Sequence, residues 1–284
     1  MTHRWNASRS FVVGALCAVV AVSGFLTSAG GLLATGVAEA ATLPSLNVAL
    51  TKSSVTVGGS LQAGAVNVVT TGAGAKEASA TIVRLNPGVS AAELLAFANS
   101  KAASDPNDVS KFGSIVLYVE AGSEVQTTLT AGQYVAFGEA EGKTVANSTF
   151  TIAPAASPIA LPTPQATIRS IDFGFRGPAT LHRGELVRFE NEGFVVHMDI
   201  AFRVKSHRAA KRLVGALRSG NEKQERKLIA GPPTNFQGPV SNGVYQQETI
   251  TAKPGWYVQA CFMDTQDGRE HTRLGMERII RILK

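Results

Sequence analysis

The stretch GWYVQACFMDTQDGREHTRLGM, residues 255–276, and the earlier run NEGFVVHMDIAF, residues 191–202, decide how this chain is read. In the first, a run rich in aromatic and β-branched residues ends near Cys261, so Trp256 to Phe262 reads as a strand. A turn-rich segment, Asp264 to Arg273, then leads to His271 and Met276. The spacing is Cys261-x9-His271-x4-Met276, so one loop can bring both later side chains back to the strand end that holds the cysteine. His197 comes from a different strand and follows the turn Asn191-Glu192-Gly193.

A thiolate, two imidazoles and a weak axial thioether make up the donor set of a blue-copper electron-transfer site. The candidate metal ligands are therefore His197, Cys261, His271 and Met276, with copper as the cofactor. Taken alone, Cys261 reads as a small buried hydrophobe, and its companions make it a ligand. Met263 is a competing thioether two residues after Cys261. Residues i and i+2 share a strand face, but the short span strains joint coordination and favours Met276, leaving Met198 and Met263 as packing. Strand parity speaks against His197, because Met198, Ile200, Phe202 and Val204 alternate as one core face. That objection lapses if His197 lies in the turn before the regular strand. His182 and His207, in polar and basic surroundings, read as surface residues.

These residues resemble the cupredoxins, the family of plastocyanin, azurin and the copper domains of nitrite reductases. The matching features are Asn191-Glu192-Gly193 before His197, Gly255-Trp256-Tyr257-Val258 before Cys261, and the order Cys, His, Met on one C-terminal loop. The resemblance implies a Greek-key β-sandwich and one-electron transfer through one mononuclear copper. It also implies that Asn191 ties the two ligand-bearing loops together by hydrogen bonds. It covers residues 166–284 well and the first half only as a degenerate copy. The chain departs from the pattern in a longer Cys-to-His interval, in Val196 where proline is common, and in a long insertion running to Tyr245.

The 284 residues suffice for two domains. His3, Arg4 and Arg9 precede an apolar stretch from Phe11 to Leu33 and an Ala38-Glu39-Ala40 site, so residues 1–40 read as a signal peptide cut after Ala40. An uncleaved N-terminal anchor is the lesser alternative. The expected location is exported, secreted or periplasmic, in the cell envelope. Residues 153–167, with four prolines and no charge, read as a semi-rigid linker. It separates a domain at 41–152 from one at 168–284. Short runs broken by Gly and Pro predict two all-β sandwiches, each with one helix inserted on an edge, near Ala91–Ser100 and Arg208–Leu217. A weak repeat lays Ala80 to Arg84 on Ile200 to Val204, and Tyr134-Val135 on Tyr257-Val258. It sets Glu77 opposite His197 and Gly138 opposite Cys261.

Residues 41–165 carry 6 basic and 8 acidic side chains, a net −2, and residues 166–284 carry 19 and 12, a net +7. From Ala41 to Leu181 there is no His, Cys or Met, so the first half supplies no soft ligand. Between Arg203 and Lys227 stand nine Lys or Arg against two acidic residues. This segment reads as a solvated helical face, or as a steering surface toward an acidic redox partner or an anionic envelope surface. Export makes nucleic acid no expected partner. Two cysteines exclude a disulfide scaffold. Without a phosphate-binding loop, paired catalytic carboxylates, a nucleophile elbow or a second copper cluster, the expectation is an electron carrier or binding protein and not an enzyme. A metal-free envelope module and a copper-sequestering protein are the rival readings.

Overall fold

A computed structural model describes residues 42–74, 77–100, 105–140 and 143–284. The expected signal peptide lies outside these residues. Eight strands form the first half: β1 (Ser45–Thr51), β2 (Val55–Gly59), β3 (Gly64–Ala73), β4 (Ser79–Leu85), β5 (Gly113–Glu120), β6 (Glu124–Leu129), β7 (Gly132–Ala140) and β8 (Lys143–Ile152). The second half has β9 (Ala166–Ile171), β10 (Gly174–Arg176), β11 (Thr180–His182), β12 (Leu186–Asn191), β13 (His197–Val204), β14 (Thr234–Val240), β15 (Tyr245–Thr249), β16 (Gly255–Ala260) and β17 (Glu277–Leu283). Period-two patterning drives many of them. In β1, Leu46, Val48 and Leu50 are buried while Ser45, Asn47 and Ala49 face out.

An eight-stranded sheet, ordered β10-β9-β12-β15-β6-β3-β1-β2, runs through both halves and is joined where Gln247 stands opposite Gln126. The first half is closed by a four-stranded sheet, β5-β4-β7-β8, and the second by a five-stranded one, β11-β17-β16-β13-β14. Leu46, Val66, Ile82 and Leu117 fill the first sandwich, and Ile168, Phe189, Ala201, Tyr257 and Ile280 fill the second. The all-β sandwich architecture is the expected one. Residues 153–167 are tied to both sides. Ala65 donates its N–H to the Ile159 carbonyl at 2.9 Å, and the Gln247 side chain donates to the Pro162 carbonyl at 3.0 Å.

The helices differ from expectation. The second half holds two, α2 (His207–Ser219) and α3 (Glu222–Leu228), beside α1 (Ala91–Ala98) of the first half. Ser206 caps α2 by accepting the Ala209 N–H at 3.2 Å, a contact worth about 1 kcal/mol. The helix does not sit on an edge. Its buried Ala210, Leu213 and Leu217 cover Phe202, Val204, Val258 and Ala260 on the outer face of the five-stranded sheet. This explains the parity of β13. Phe202 and Val204 face the helix, whereas Ala201 faces the sandwich interior. The apolar alternation read as the core face is thus the helix-covered face. His197 is the first residue of the strand, next to register shifts between His197 and Ile200.

The repeat is visible in three dimensions. Arg84 on β4 stands opposite Tyr134 on β7, and Arg203 on β13 stands opposite Tyr257 on β16. Each tyrosine donates its O–H to the carbonyl four residues back, Tyr134 to Thr130 at 2.6 Å and Tyr257 to Lys253 at 2.7 Å. Each arginine donates to the carbonyl three residues before its tyrosine, Ala131 at 3.0 Å and Pro254 at 3.3 Å. Arg84 therefore corresponds to Arg203, one residue off the register expected from sequence. The partner of His197 in the copy becomes Ala78 and not Glu77, six residues before each arginine.

Candidate metal centre

At one end of the second sandwich, β13 delivers His197 on its first residue and β16 delivers Cys261 just past its last. The loop that follows reverses through the pair Asp264 and Glu270, then forms a short 3-10 turn, His271–Leu274, capped by Gly275. His271 is pinned at both ends. Its N–H donates to the Met263 carbonyl at 2.8 Å, and its carbonyl accepts from the Met276 N–H at 3.0 Å. Cys261 N–H in turn donates to the Met276 carbonyl at 3.2 Å, so loop and strand close on each other.

Three of the four sequence-named side chains converge. His197 Nδ1 and His271 Nδ1 are 3.2 Å apart, and Cys261 Sγ lies 3.3 Å from His271 Nδ1 and 3.8 Å from His197 Nδ1. All three residues have 0% exposure. Met276 is fully buried in the same apolar cluster as Cys261, Met198 and Met263. His182 stays at the surface with Glu185, and His207 lies against Trp256, so neither approaches the cluster.

Burial sets the protonation states. It pushes the Cys261 thiol up to about 12, with backbone N–H groups of Met198 and Met263 pulling the other way. Burial, with the neighbouring His197, lowers His271 to about 4. His197 is also lowered by burial, against the opposing pull of Asp172. Both imidazoles are therefore neutral near pH 7 and lie with their Nδ1 atoms beside a thiol that keeps its proton there, so a metal ion taking up Cys261 must displace that proton. Metal bonds of about 2.0–2.3 Å to nitrogen and sulfur are spanned by donor atoms 3.2–3.8 Å apart, so the donor set fits one ion.

The support around the donors comes from residues that sequence reading passed over. Asp172 and Phe173 form the two-residue turn between β9 and β10. Asp172 Oδ1 lies 3.1 Å from His197 Nε2 and accepts the Phe194 N–H at 2.9 Å. Its carboxyl sits below the ordinary value. Burial raises it, but the Phe194 N–H, the His197 ring and the Val195 N–H lower it further. Phe173, at φ 61, holds its ring edge-on to His271 with centroids 5.1 Å apart. A non-glycine residue in this region stores backbone strain of roughly 1–3 kcal/mol, which the surrounding contacts must hold. Gly193 permits the approach, since a Cβ there would stand 2.5 Å from both Asp172 Oδ1 and His197 Nε2. An Ile-Asp-Phe-Gly turn carries no sequence signal for this role.

Asn191 is placed differently from what the resemblance implies. It is fully buried, but its amide donates to the Val195 and Val240 carbonyls, both at 2.9 Å, and its oxygen accepts the Gly193 N–H at 2.9 Å. It braces the His197 turn against β14 and has no bond to the Cys261 loop. The link between the ligand segments is the Met198 N–H, which points at Cys261 Sγ at 3.4 Å.

A buried His-Cys-His cluster with a methionine beside it, at the end of a β-sandwich, decides the architecture. The fold is cupredoxin-like. No protein-family model and no curated protein matches this chain. Among solved structures it is similar to auracyanin A, a "blue" copper protein from Chloroflexus aurantiacus, at 21% identity over 41% of this chain and 96% of that one, with a TM-score of 0.25. A Cu-containing nitrite reductase from Thermus scotoductus is 12% identical over 84% of this chain and 68% of its own, with a TM-score of 0.25. A multi-copper oxidase from Pediococcus acidilactici is 10% identical over 85% and 59%, with a TM-score of 0.21. Enzymes thus stand among the structures similar to most of the chain, and the expectation that this cupredoxin-like protein is not an enzyme is corrected. One copper ion is the cofactor that the second half's donor set supports.

The corresponding end of the first sandwich closes over small and aliphatic side chains. Counting from the matched residues, Ala78, Gly138 and Ala146 occupy the places of His197, Cys261 and Met276. A Cβ on Gly138 would meet Val55 Cβ at 2.9 Å, with Leu50 just behind, so the place of the donors is filled.

Proposed function

We propose that the protein is an exported copper protein whose second half exchanges single electrons through one type 1 copper that would be held by His197, Cys261 and His271, with Met276 as a weak thioether donor. The observation that carries this is the buried convergence of two imidazole Nδ1 atoms and one thiol within 3.8 Å. When bound, such a copper supplies reversible one-electron exchange. His197 and His271 contribute neutral nitrogens, and Cys261 gives up its proton to become the strong donor. Asp172 accepts at His197 Nε2, orienting that ring and fixing its tautomer. Val196, Met198, Met263 and Phe173 exclude water and keep the surroundings apolar. No helix among the described residues is long and apolar enough to cross a membrane. Export rests on the N-terminal basic and apolar segment of the sequence.

The first half is proposed as a metal-free copy. The exposed basic side chains of α2 and α3, among them Arg208, Lys211, Arg212 and Lys223, are proposed to steer an acidic redox partner. The experiment is to add Cu(II) to the purified protein and record visible absorption. An intense thiolate-to-copper band is expected, and it is expected to vanish in Cys261→Ser. A colourless wild type, or a coloured Cys261→Ser protein, overturns the reading.

A further inference from the structure

The first half contributes no ligand, yet it forms one wall of the centre. Leu85, Leu94, Val109, Ile115 and Val135 belong to the same buried cluster as Met198, Cys261, Met263 and Met276. One polar contact crosses this wall beside a ligand. Asn107 Oδ1 accepts the backbone N–H of Val196, the residue before His197, at 2.7 Å.

Asn107 is itself held in place. It follows Pro106 at the start of the 3-10 turn Pro106–Lys111, whose N-cap is Asp105. Asp105 Oδ1 accepts both the Asn107 backbone N–H and its side-chain N–H, each at 2.9 Å. With its amide nitrogen engaged there, Asn107 turns its oxygen toward Val196. The Val196 N–H thus has an acceptor next to an apolar wall, where an unpaired amide is costly. Across the ligand, Asp172 takes His197 Nε2. The imidazole is gripped from the first half through the backbone before it and from the second half through its ring.

We propose that Asn107 is a positioning residue for the metal centre, a clamp from the metal-free half that fixes the backbone of His197 and seals the apolar wall around Cys261. The clamp acts on His197 as a ligand and in that respect rests on the proposed copper function. Because hydrophobicity around the cysteine sulfur tunes a blue-copper potential, the clamp sets the potential as well as the geometry. The first half then acts on the centre without touching the ion.

The test compares Asn107→Ala with Thr127→Ala, which removes a different contact between the halves, from Thr127 Oγ1 to the Tyr245 carbonyl at 2.7 Å. In the metal-free protein, Asn107→Ala is expected to speed amide hydrogen exchange at Val196 by about tenfold, the loss of one net hydrogen bond. The Ser241 amide, bonded to the Ile115 carbonyl at 2.9 Å, is expected to stay protected, which also reports that the interface has folded. In the copper-loaded protein the visible band is expected to shift and the reduction potential to fall. Thr127→Ala is expected to change neither. Unchanged Val196 exchange in Asn107→Ala overturns the clamp. So does an unchanged copper spectrum and potential, or an equal effect from Thr127→Ala. A wild type that takes up no copper overturns the function instead, and the clamp then stands or falls on the Val196 exchange.

Discussion

The Nε2 atom of His197 faces Asp172 Oδ1 at 3.1 Å, while the Nδ1 atom of the same ring faces His271 and Cys261. One nitrogen is thereby committed to a carboxylate and the other left free as a donor. Replacing Asp172 with alanine removes the acceptor and also frees the Phe194 N–H. Copper affinity is expected to fall by about 10–100-fold, the usual effect of losing such an outer partner, as read by competition with a chelator of known affinity.

Copper uptake is expected to release about one proton per ion near pH 7. Both imidazoles are already neutral there, since burial and the neighbouring ring hold His271 near 4 and burial lowers His197. The thiol, pushed up to about 12 by burial, still carries its proton. Affinity should then rise about tenfold per pH unit across neutrality. Titration in weak buffer with a pH indicator measures the proton directly, and a release near zero would contradict thiolate ligation.

Glu248 makes stability fall as pH rises. Burial, then the charges of Asp199 and Glu120, raise its carboxyl from 4.5 to about 8. The folded state therefore holds a proton that the unfolded state has already lost. The associated stability is full below about pH 4.5 and is lost as pH climbs through about 8. Urea unfolding at pH 5, 7 and 9 is expected to show that decline, and Glu248→Gln to reduce it, the remainder coming from Asp199, which burial raises to about 7.

Arg218 of α2 pairs with Glu277, which is buried and directly follows Met276. Arg218→Ala leaves that carboxylate with a buried oxygen and no counter-charge. A loss of about 1–3 kcal/mol is expected, below the cost of breaking a fully buried pair because the guanidinium is itself half exposed. Denaturant unfolding reads the loss, and Glu277→Gln is expected to lose less.

The donor residues were legible because His, Cys and Met are scarce and absent from Ala41 to Leu181, so their order along one loop stood out. Strands such as Glu277–Leu283 and Ser79–Leu85 were legible from β-branched runs. By contrast, β14 carries Gly238 and Pro239, and β10 and β11 have three residues each, so they lack a periodic signal. The inserted helix made the outer face of β13, with Ile200, Phe202 and Val204, more apolar than the inner face, which carries Asp199, Ala201 and Arg203, and this inverted the parity argument. Asp172 and Asn107 were not legible at all. Asp and Asn are ordinary turn residues, and what distinguishes these two is which backbone and which ring the tertiary fold brings to them.

The filled end of the first sandwich bears on when the ion arrives. The same tyrosine and arginine frame that surrounds the donors in one half closes in the other around Val55 and Leu50, using Ala78, Gly138 and Ala146. Assembly of this architecture therefore does not wait for copper. The second half, built on the same frame, is expected to fold before it is loaded and to acquire its metal last.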